Sequence, residues 1–396
     1  MKFKITLTLL TLCAFITLNA QKTNAPKFGK GLLNLVGQDS SWTMKIGTRM
    51  QFLAVSNWEE GEKNESNFLV RRARLKFNGF AFSPKLKYKM ELGLSNRDIS
   101  GASKYTSNAP RYILDAVVMW NFYENFELWA GQTKLPGNIE RVISSGNLQQ
   151  VDRSMLNSKF NIDRDLGIQL RHHFYLTDNF LVREKLAISQ GEGRNITKGN
   201  LGGHQYTARL ELLPFGKFKS KGEYSGSDQK REEKPKLMLA ATYDINKNAV
   251  KNRSNQGSYM ITDTGFYETD INTLFIDFMF KYNGFSLMGE YADRNADNPY
   301  AKNSDGSLTG DVVQVGNGLN LQTGYLFTNN WEVSGRYTNI KLDENVTGKK
   351  MQTQYTLGLS KFIVGHKLKV QTDISHIEVA GGNNELMYRL QFDIHF

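Results

Sequence analysis

The chain has 396 residues, 40% hydrophobic and 22% charged, with a formal net charge of +11 and a mean hydropathy of -0.47. That mean excludes a bundle of transmembrane helices, which needs repeated apolar runs of about 20 residues. The 24 Phe, 17 Tyr and 5 Trp exclude a chain too polar to collapse.

Residues 1–20 (MKFKITLTLLTLCAFITLNA) open with Lys2 and Lys4, run through an apolar stretch from Ile5 to Leu18 and end on the small residue Ala20. This is the pattern of a secretory signal peptide. Its removal takes Lys2 and Lys4, lowering the charge from +11 to +9, and also takes the single cysteine, Cys13. Bulky Leu12 disfavours lipidation at Cys13. A mature chain without cysteine has no disulfide, no thiol nucleophile and no cysteine-based metal site. Export without disulfides fits a bacterial envelope.

From residue 41 onward the dominant signal is period two. Trp42, Met44, Ile46, Met50 and Phe52 share one face, while Lys45, Arg49 and Gln51 share the other. A strand places successive side chains on opposite faces, so such a segment is a ribbon with one apolar side. About sixteen segments repeat the pattern, near 42–54, 68–82, 85–95, 111–122, 126–134, 165–174, 180–190, 204–213, 236–244, 272–282, 285–293, 312–327, 331–340, 353–362, 366–376 and 385–396. Their length of about 10 residues suits a tilted strand crossing a bilayer. Short turns alternate with long polar links (55–67, 96–110, 135–164, 190–203, 245–271, 294–311, 341–352 and 377–384), as in outer-membrane barrels. Link 214–235 breaks this parity and reads as a solvated loop, with docking of a periplasmic partner as the alternative.

Trp42, Trp120, Trp129, Trp331, Tyr112, Tyr123, Tyr282, Tyr325 and Tyr337 lie near strand ends, as headgroup-level girdles require. The last segment alternates to a terminal Phe396. In hydrocarbon an open sheet edge leaves backbone groups unpaired, so the sheet must close. The expected fold is therefore all-β: a transmembrane antiparallel β-barrel of about 16 strands. Residues 1–20 are the signal peptide, 21–40 an N-terminal periplasmic segment and 41–396 the barrel, in the outer membrane of a Gram-negative-type envelope.

Sixteen strands leave a lumen too wide for side chains to fill, so the polar faces line water and a channel follows. Parity turns Arg72, Arg74 and Lys76 inward if Leu69, Ala73, Leu75 and Phe77 face lipid. Arg49, Lys87 and Lys89 also turn inward, as do Arg171, Arg183, Lys185 and Arg209. Inward acids include Asp115, Glu211, Asp277, Glu290, Asp373 and Asp393. Bases outnumber acids, which favours anions in a narrow water path. Arg71 is off pattern and marks a strand end, a contact with a neighbouring subunit, or a bulge. The link 135–164 carries Ile139, Val142, Ile143, Leu148, Leu156 and Phe160. Folded inward as a third-loop constriction, it would bring Lys134, Arg141, Arg153 and Arg164 to the narrowest point; an exposed surface loop is the alternative.

Several stretches now resemble one family. Leu69 to Phe77 (LVRRARLKF), Lys85 to Glu91, Gly131 to Pro136 (GQTKLP), Asp163 to Leu170 (DRDLGIQL), Ala208 to Phe215 (ARLELLPF), Gly284 to Tyr291 (GFSLMGEY) and Thr356 to Val370 look like the phosphate-selective porin O and P family. The resemblance spans almost the whole mature chain, in order. It implies a sixteen-stranded outer-membrane barrel, usually a homotrimer, with an inward third loop and an arginine-rich pore. Arg71 and Arg72 match the family's paired arginines of the second strand, and Lys134 matches the lysine before the constriction loop. The chain departs from the pattern at Gly137-Asn138-Ile139-Glu140, where phosphate-specific members tend to carry an aromatic residue and serines. It also places lysine at several wall positions, and lysine lacks the guanidinium fork.

The expected function is an outer-membrane porin passing small anions such as phosphate by diffusion. A general-diffusion porin and a structural or adhesive barrel are the alternatives, separated from it by selectivity and by conductance. No enzyme is expected, because the chain has no G-x-S-x-G and no H-E-x-x-H, and His172 and His173 point to opposite faces of one strand. No cofactor, metal or nucleic-acid partner is implied; outer-membrane lipid is.

Overall fold

The structure, a computed structural model, describes residues 26–99, 101–198 and 201–396; the signal peptide lies outside them. Sixteen strands form one closed antiparallel barrel. They are β1 Thr43–Glu59, β2 Glu65–Ala81, β3 Ser83–Gly93, β4 Ile113–Tyr123, β5 Phe126–Lys134, β6 Arg164–Tyr175, β7 Leu181–Ser189 and β8 Gln205–Leu213, followed by β9 Lys236–Ala249, β10 Thr269–Tyr282, β11 Phe285–Ala296, β12 Gly316–Leu326, β13 Trp331–Leu342, β14 Gln352–Phe362, β15 Leu368–Val379 and β16 Glu385–His395. Each pairs with its chain neighbour, and β16 returns to β1 from Arg49 opposite His395 to Glu59 opposite Glu385. The short strand Leu33–Val36 pairs with the start of β1, beyond the end of β16, and Phe28 packs edge-on against Phe396 at 5.6 Å. Closure leaves no unpaired edge for lipid to meet.

The two faces are the inverse of a water-soluble protein's. Leu357 is 60% exposed and Ile276 54%, whereas Asp115, Glu211 and Asp393 are each 0% exposed. Alternation along each strand produces both faces at once.

Two local readings change, and the position of Arg71 is decided. Residues 60–64 alone connect β1 and β2, because the polar residues 55–59 and 65–67 continue the ladder, with Ser56 and Ser66 hydroxyls 2.7 Å apart. Gln51 pairs with Arg72 but Phe52 with Val70, so Arg71 is the extra residue of a β-bulge. The bulge resets parity on its far side. Leu69 therefore pairs with buried Leu53 on the inner face, and Phe68 and Val70 face out.

Turns at one end are short, except for the link 214–235. Asn283 and Gly284, both at positive φ (47° and 89°), supply the two left-handed residues that a tight hairpin needs. The other end carries the longer loops, with hairpins at Lys251–Arg253/Gln256–Tyr259, Ile261–Thr262/Gly265–Phe266 and Tyr300–Lys302/Leu308–Val312.

Candidate functional site

Two segments contact the inner wall and shape what remains open. Residues 135–163 contain helix α1 (Ile139–Val142) and helix α2 (Met155–Phe160), the second capped by the Ser154 hydroxyl. Polar contacts tie the segment to distant strands. Arg49 donates to the Ser145 hydroxyl at 2.6 Å, the Val151 amide to Asp373 at 3.1 Å, and the Gln149 amide to Ser286 and Glu332 at 2.8 and 2.9 Å. Leu156 and Phe160 pack on inward Phe275, Ile340 and Leu342. Burial of such side chains is worth about 1.5–3 kcal/mol each.

The second segment, residues 214–235, is not the solvated loop that its charge predicts. Lys230, Glu233 and Lys234 are exposed, but Glu223, Ser227, Asp228 and Glu232 are buried. Phe218 joins Ile139, Ile143, Met238, Met279 and Met288 in one apolar cluster. Lys281 donates to the carbonyls of Ser225 and Ser227 at 2.9 and 2.6 Å, and the Gly226 amide donates to the Asn147 carbonyl of the first segment at 2.8 Å. The segment thus rises into the barrel from the short-turn end. Its sequence signal was the apolar inward positions Met238, Met279 and Met288, which a water-lined wall has no reason to carry.

Together the two segments cover the inner faces of β8–β16 and leave a cavity of about 920 Å³ against β2–β7. The lining runs from Arg97 and Arg194 at the long-loop end to Lys217 and Lys221 at the short-turn end. It holds sixteen Arg and Lys against eight Asp and Glu, so its field favours anions.

The expected site residues divide by environment. Arg71, Arg72, Arg74, Lys76, Lys89, Lys134, Arg141, Arg153 and Arg164 line this cavity. Lys87 lines a smaller neighbouring one of about 290 Å³. Arg49 lies behind the first segment, held by Asp393 at 2.7 Å. Arg71 and Arg72 share Asp152, at 2.6 and 3.3 Å, the bulge having turned both inward. Burial alone would raise the Asp152 carboxyl, but these two guanidiniums outweigh it and hold it well below its ordinary value. Arg74 pairs with Asp98 and Glu91, Lys89 and Arg164 with Asp115, and Arg141 with Asp163. Lys134 donates to the carbonyls of Arg141, Val142 and Ile143 at 2.6, 3.3 and 3.2 Å. Arg153 takes the Glu140 and Ile143 carbonyls. Both cations therefore sit at the C-terminal end of α1, where the helix presents its unpaired carbonyls.

Other lining residues carry weight beyond that set. Trp129 faces the cavity, not the headgroup girdle, and Arg171 lies over its ring at 3.6 Å from the centroid. Val117 and Met119 join it from β4. Strand parity alone assigns Trp129 to the inner face, with Gly131 and Thr133; proximity to a strand end misplaces it. Arg194 and Lys217 come from irregular links, where no period exists to read.

The sequence profile of the family described as phosphate-selective porin O and P matches residues 44–387. No match is found among curated protein sequences. Among solved structures the fold is similar to an anion-selective porin from Comamonas acidovorans, with a TM-score of 0.56, 10% identity and coverage of 90% of this chain and all of that one. It is also similar to the outer membrane channel DcaP of Acinetobacter baumannii (TM-score 0.54, 12% identity, 92% and 100% covered). A third is the outer membrane protein OmpT of Vibrio cholerae in its trimer form (TM-score 0.51, 12% identity, 89% and 99% covered).

Proposed function

The chain belongs to the phosphate-selective porin O and P family and is an outer-membrane porin; from that premise we propose that the cavity along β2–β7 is its conducting path and that it passes small anions, phosphate among them. The observation that carries this reading is the twofold excess of Arg and Lys over Asp and Glu on the cavity wall. In a narrow water path bounded by low dielectric, fixed charge of one sign concentrates the opposite ion. Arginine forks grip phosphate or carboxylate in a bidentate manner. Residues 135–163 act in this reading as the constriction, and the wall residues Arg71, Arg72, Arg74, Lys76 and Lys89 as the anion-facing bank. Transport is passive, with no catalytic step.

We extend the reading to a homotrimer in the outer membrane, delivered by a cleaved signal peptide over residues 1–20. The exposed apolar belt, Ile276 and Leu357 among it, supports contact with lipid. Native mass measurement in detergent checks the trimer, and N-terminal sequencing of the envelope protein checks cleavage.

Purified protein in a planar bilayer tests the channel. Under a KCl gradient the reversal potential should fall on the chloride side, and added phosphate should reduce the chloride current. Conductance without selectivity would sink the anion reading, leaving a general-diffusion porin. Folded barrels that do not conduct would favour a structural barrel.

A further inference from the structure

The wall of the cavity is not uniformly basic. Across β3, β4 and β5 the register sets Lys87 opposite Met119 and Met119 opposite Trp129, with Lys89 opposite Val117 one level away. On β6, Arg171 stands opposite Glu127, two residues before Trp129. An apolar strip of Val117, Met119 and Trp129 thus separates a basic bank on β2–β3 from Arg171 on β6. Neighbouring strands lie about 4.8 Å apart, so the strip is roughly 10 Å wide.

Arg171 is set apart from the other wall arginines. Its guanidinium is stacked on the Trp129 indole at 3.6 Å and is held by Gln169 Oε1 at 3.2 and 2.6 Å from Nε and Nη2. Trp129 is itself fixed, its Nε1 donating to Glu127 at 2.9 Å. No ion pair among the described residues gives Arg171 a carboxylate, whereas Lys185 beside it is held by Glu211. A pre-oriented guanidinium that makes no ion pair among the described residues, with Glu127 opposite it and the half-buried Met119 thioether and an indole edge alongside, offers one charged contact and one apolar contact at ring-sized separation.

We propose that this strip is a binding subsite for organic anions with a flat apolar body, such as aromatic carboxylates or aryl phosphates, and that the channel prefers them to inorganic anions of the same charge. The ring lies on Met119, with Val117 buried beneath it, against the edge of Trp129, and the anionic group meets Arg171 or, on the other side, Lys89, whose pairing with Asp115 it shares. A small hydrated ion gains only the charged contact. The proposal rests on the anion-channel reading above.

The test uses the full-length channel in a planar bilayer in symmetric KCl, with phenyl phosphate and inorganic phosphate as probes. The quantity read is the ratio of their half-blocking concentrations within one channel, which cancels changes in conductance between variants. Phenyl phosphate should block at about tenfold lower concentration, the gain expected from one aromatic contact on the strip. Trp129→Ala and, independently, the volume-conserving Met119→Gln should bring the ratio towards one, while Trp129→Phe keeps most of it. Equal block by both probes in the unaltered channel would overturn the subsite, as would a ratio undiminished in both Trp129→Ala and Met119→Gln. Absence of any preference for chloride over potassium would instead overturn the anion reading on which it rests.

Discussion

The guanidinium of Arg71 lies 2.6 Å from the carboxylate of Asp152, which also accepts from its chain neighbour Arg72 at 3.3 Å. Two adjacent residues of one strand reach the same carboxylate only because a bulge turns both towards the lumen. One acid from the inserted segment therefore neutralises part of the most basic stretch of the wall. Asp152→Asn should release that charge to the path. The chloride-to-potassium permeability ratio should rise roughly threefold or more at low salt and less at high salt, where screening is stronger. An unchanged ratio would mean that these arginines do not face the conducting water.

Residues 214–235 occupy lumen that would otherwise be open. Replacing residues 217–233 by a two-residue turn should raise single-channel conductance by about twofold or more, because a sixteen-strand barrel is wide when unplugged. The same change exposes Met238, Met279 and Met288 to water. Thermal unfolding should accordingly shift downward. A conductance that does not change would place the current elsewhere than beside this segment.

Lys134 holds the end of α1 through three carbonyls. A charge-assisted hydrogen bond is worth about 1.5–3 kcal/mol, so Lys134→Met should loosen the segment by roughly that amount. Increased open-channel noise and faster cleavage by trypsin after Arg141 or Arg153 are the expected signs. Equal noise and equal cleavage would show that the apolar cluster alone secures the segment.

Glu192, in the long-loop link after β7, is buried, and burial raises its carboxyl from 4.5 to about 7; the Leu201 amide hydrogen bond, which favours the carboxylate, opposes the rise, nearby Asp165 adds to it and Lys251 opposes it. The folded loop thus favours the protonated acid. Its contribution to loop stability is fully present below about pH 4.5, declines as pH rises from there to about 7, and is level above. Hydrogen exchange of the Thr197 amide in the same link, which donates to the neutral Tyr105 carbonyl at 2.9 Å, should be slower at pH 5 than at pH 8 after correction for intrinsic rate. Glu192→Gln should flatten that dependence; a profile unaltered by the substitution would assign it to another group.

The strands were legible because their signal is local. Asp115, Glu211, Asp277, Glu290, Asp373 and Asp393 all turn inward, as the two-residue period requires. Parity failed at Leu69, where one extra residue at Arg71 shifted the face without changing composition. At Trp129 nearness to a strand end points to the girdle, whereas parity points to the lumen, and the lumen is where it lies. Segment 214–235 reads as solvated because its exposed charges, Lys230, Glu233 and Lys234, dominate its composition, while the part from Glu223 to Asp228 that the barrel buries is polar too.

The sequence by itself determined a closed sixteen-strand barrel, its apolar outside and a basic excess within, since alternation and turn chemistry act between neighbours in the chain. Only the tertiary structure decided which of the inward cations remain available to a passing ion. Asp152 reaches Arg71 across 81 residues, and Lys281 meets carbonyls 54 and 56 residues away. Such pairings depend on where two inserted segments come to rest, which is set by burial of Phe218, Leu156 and Phe160 against scattered apolar positions on the wall. Buried polar groups then take whatever partner that packing brings within reach, because an unmade hydrogen bond there costs about 1–3 kcal/mol.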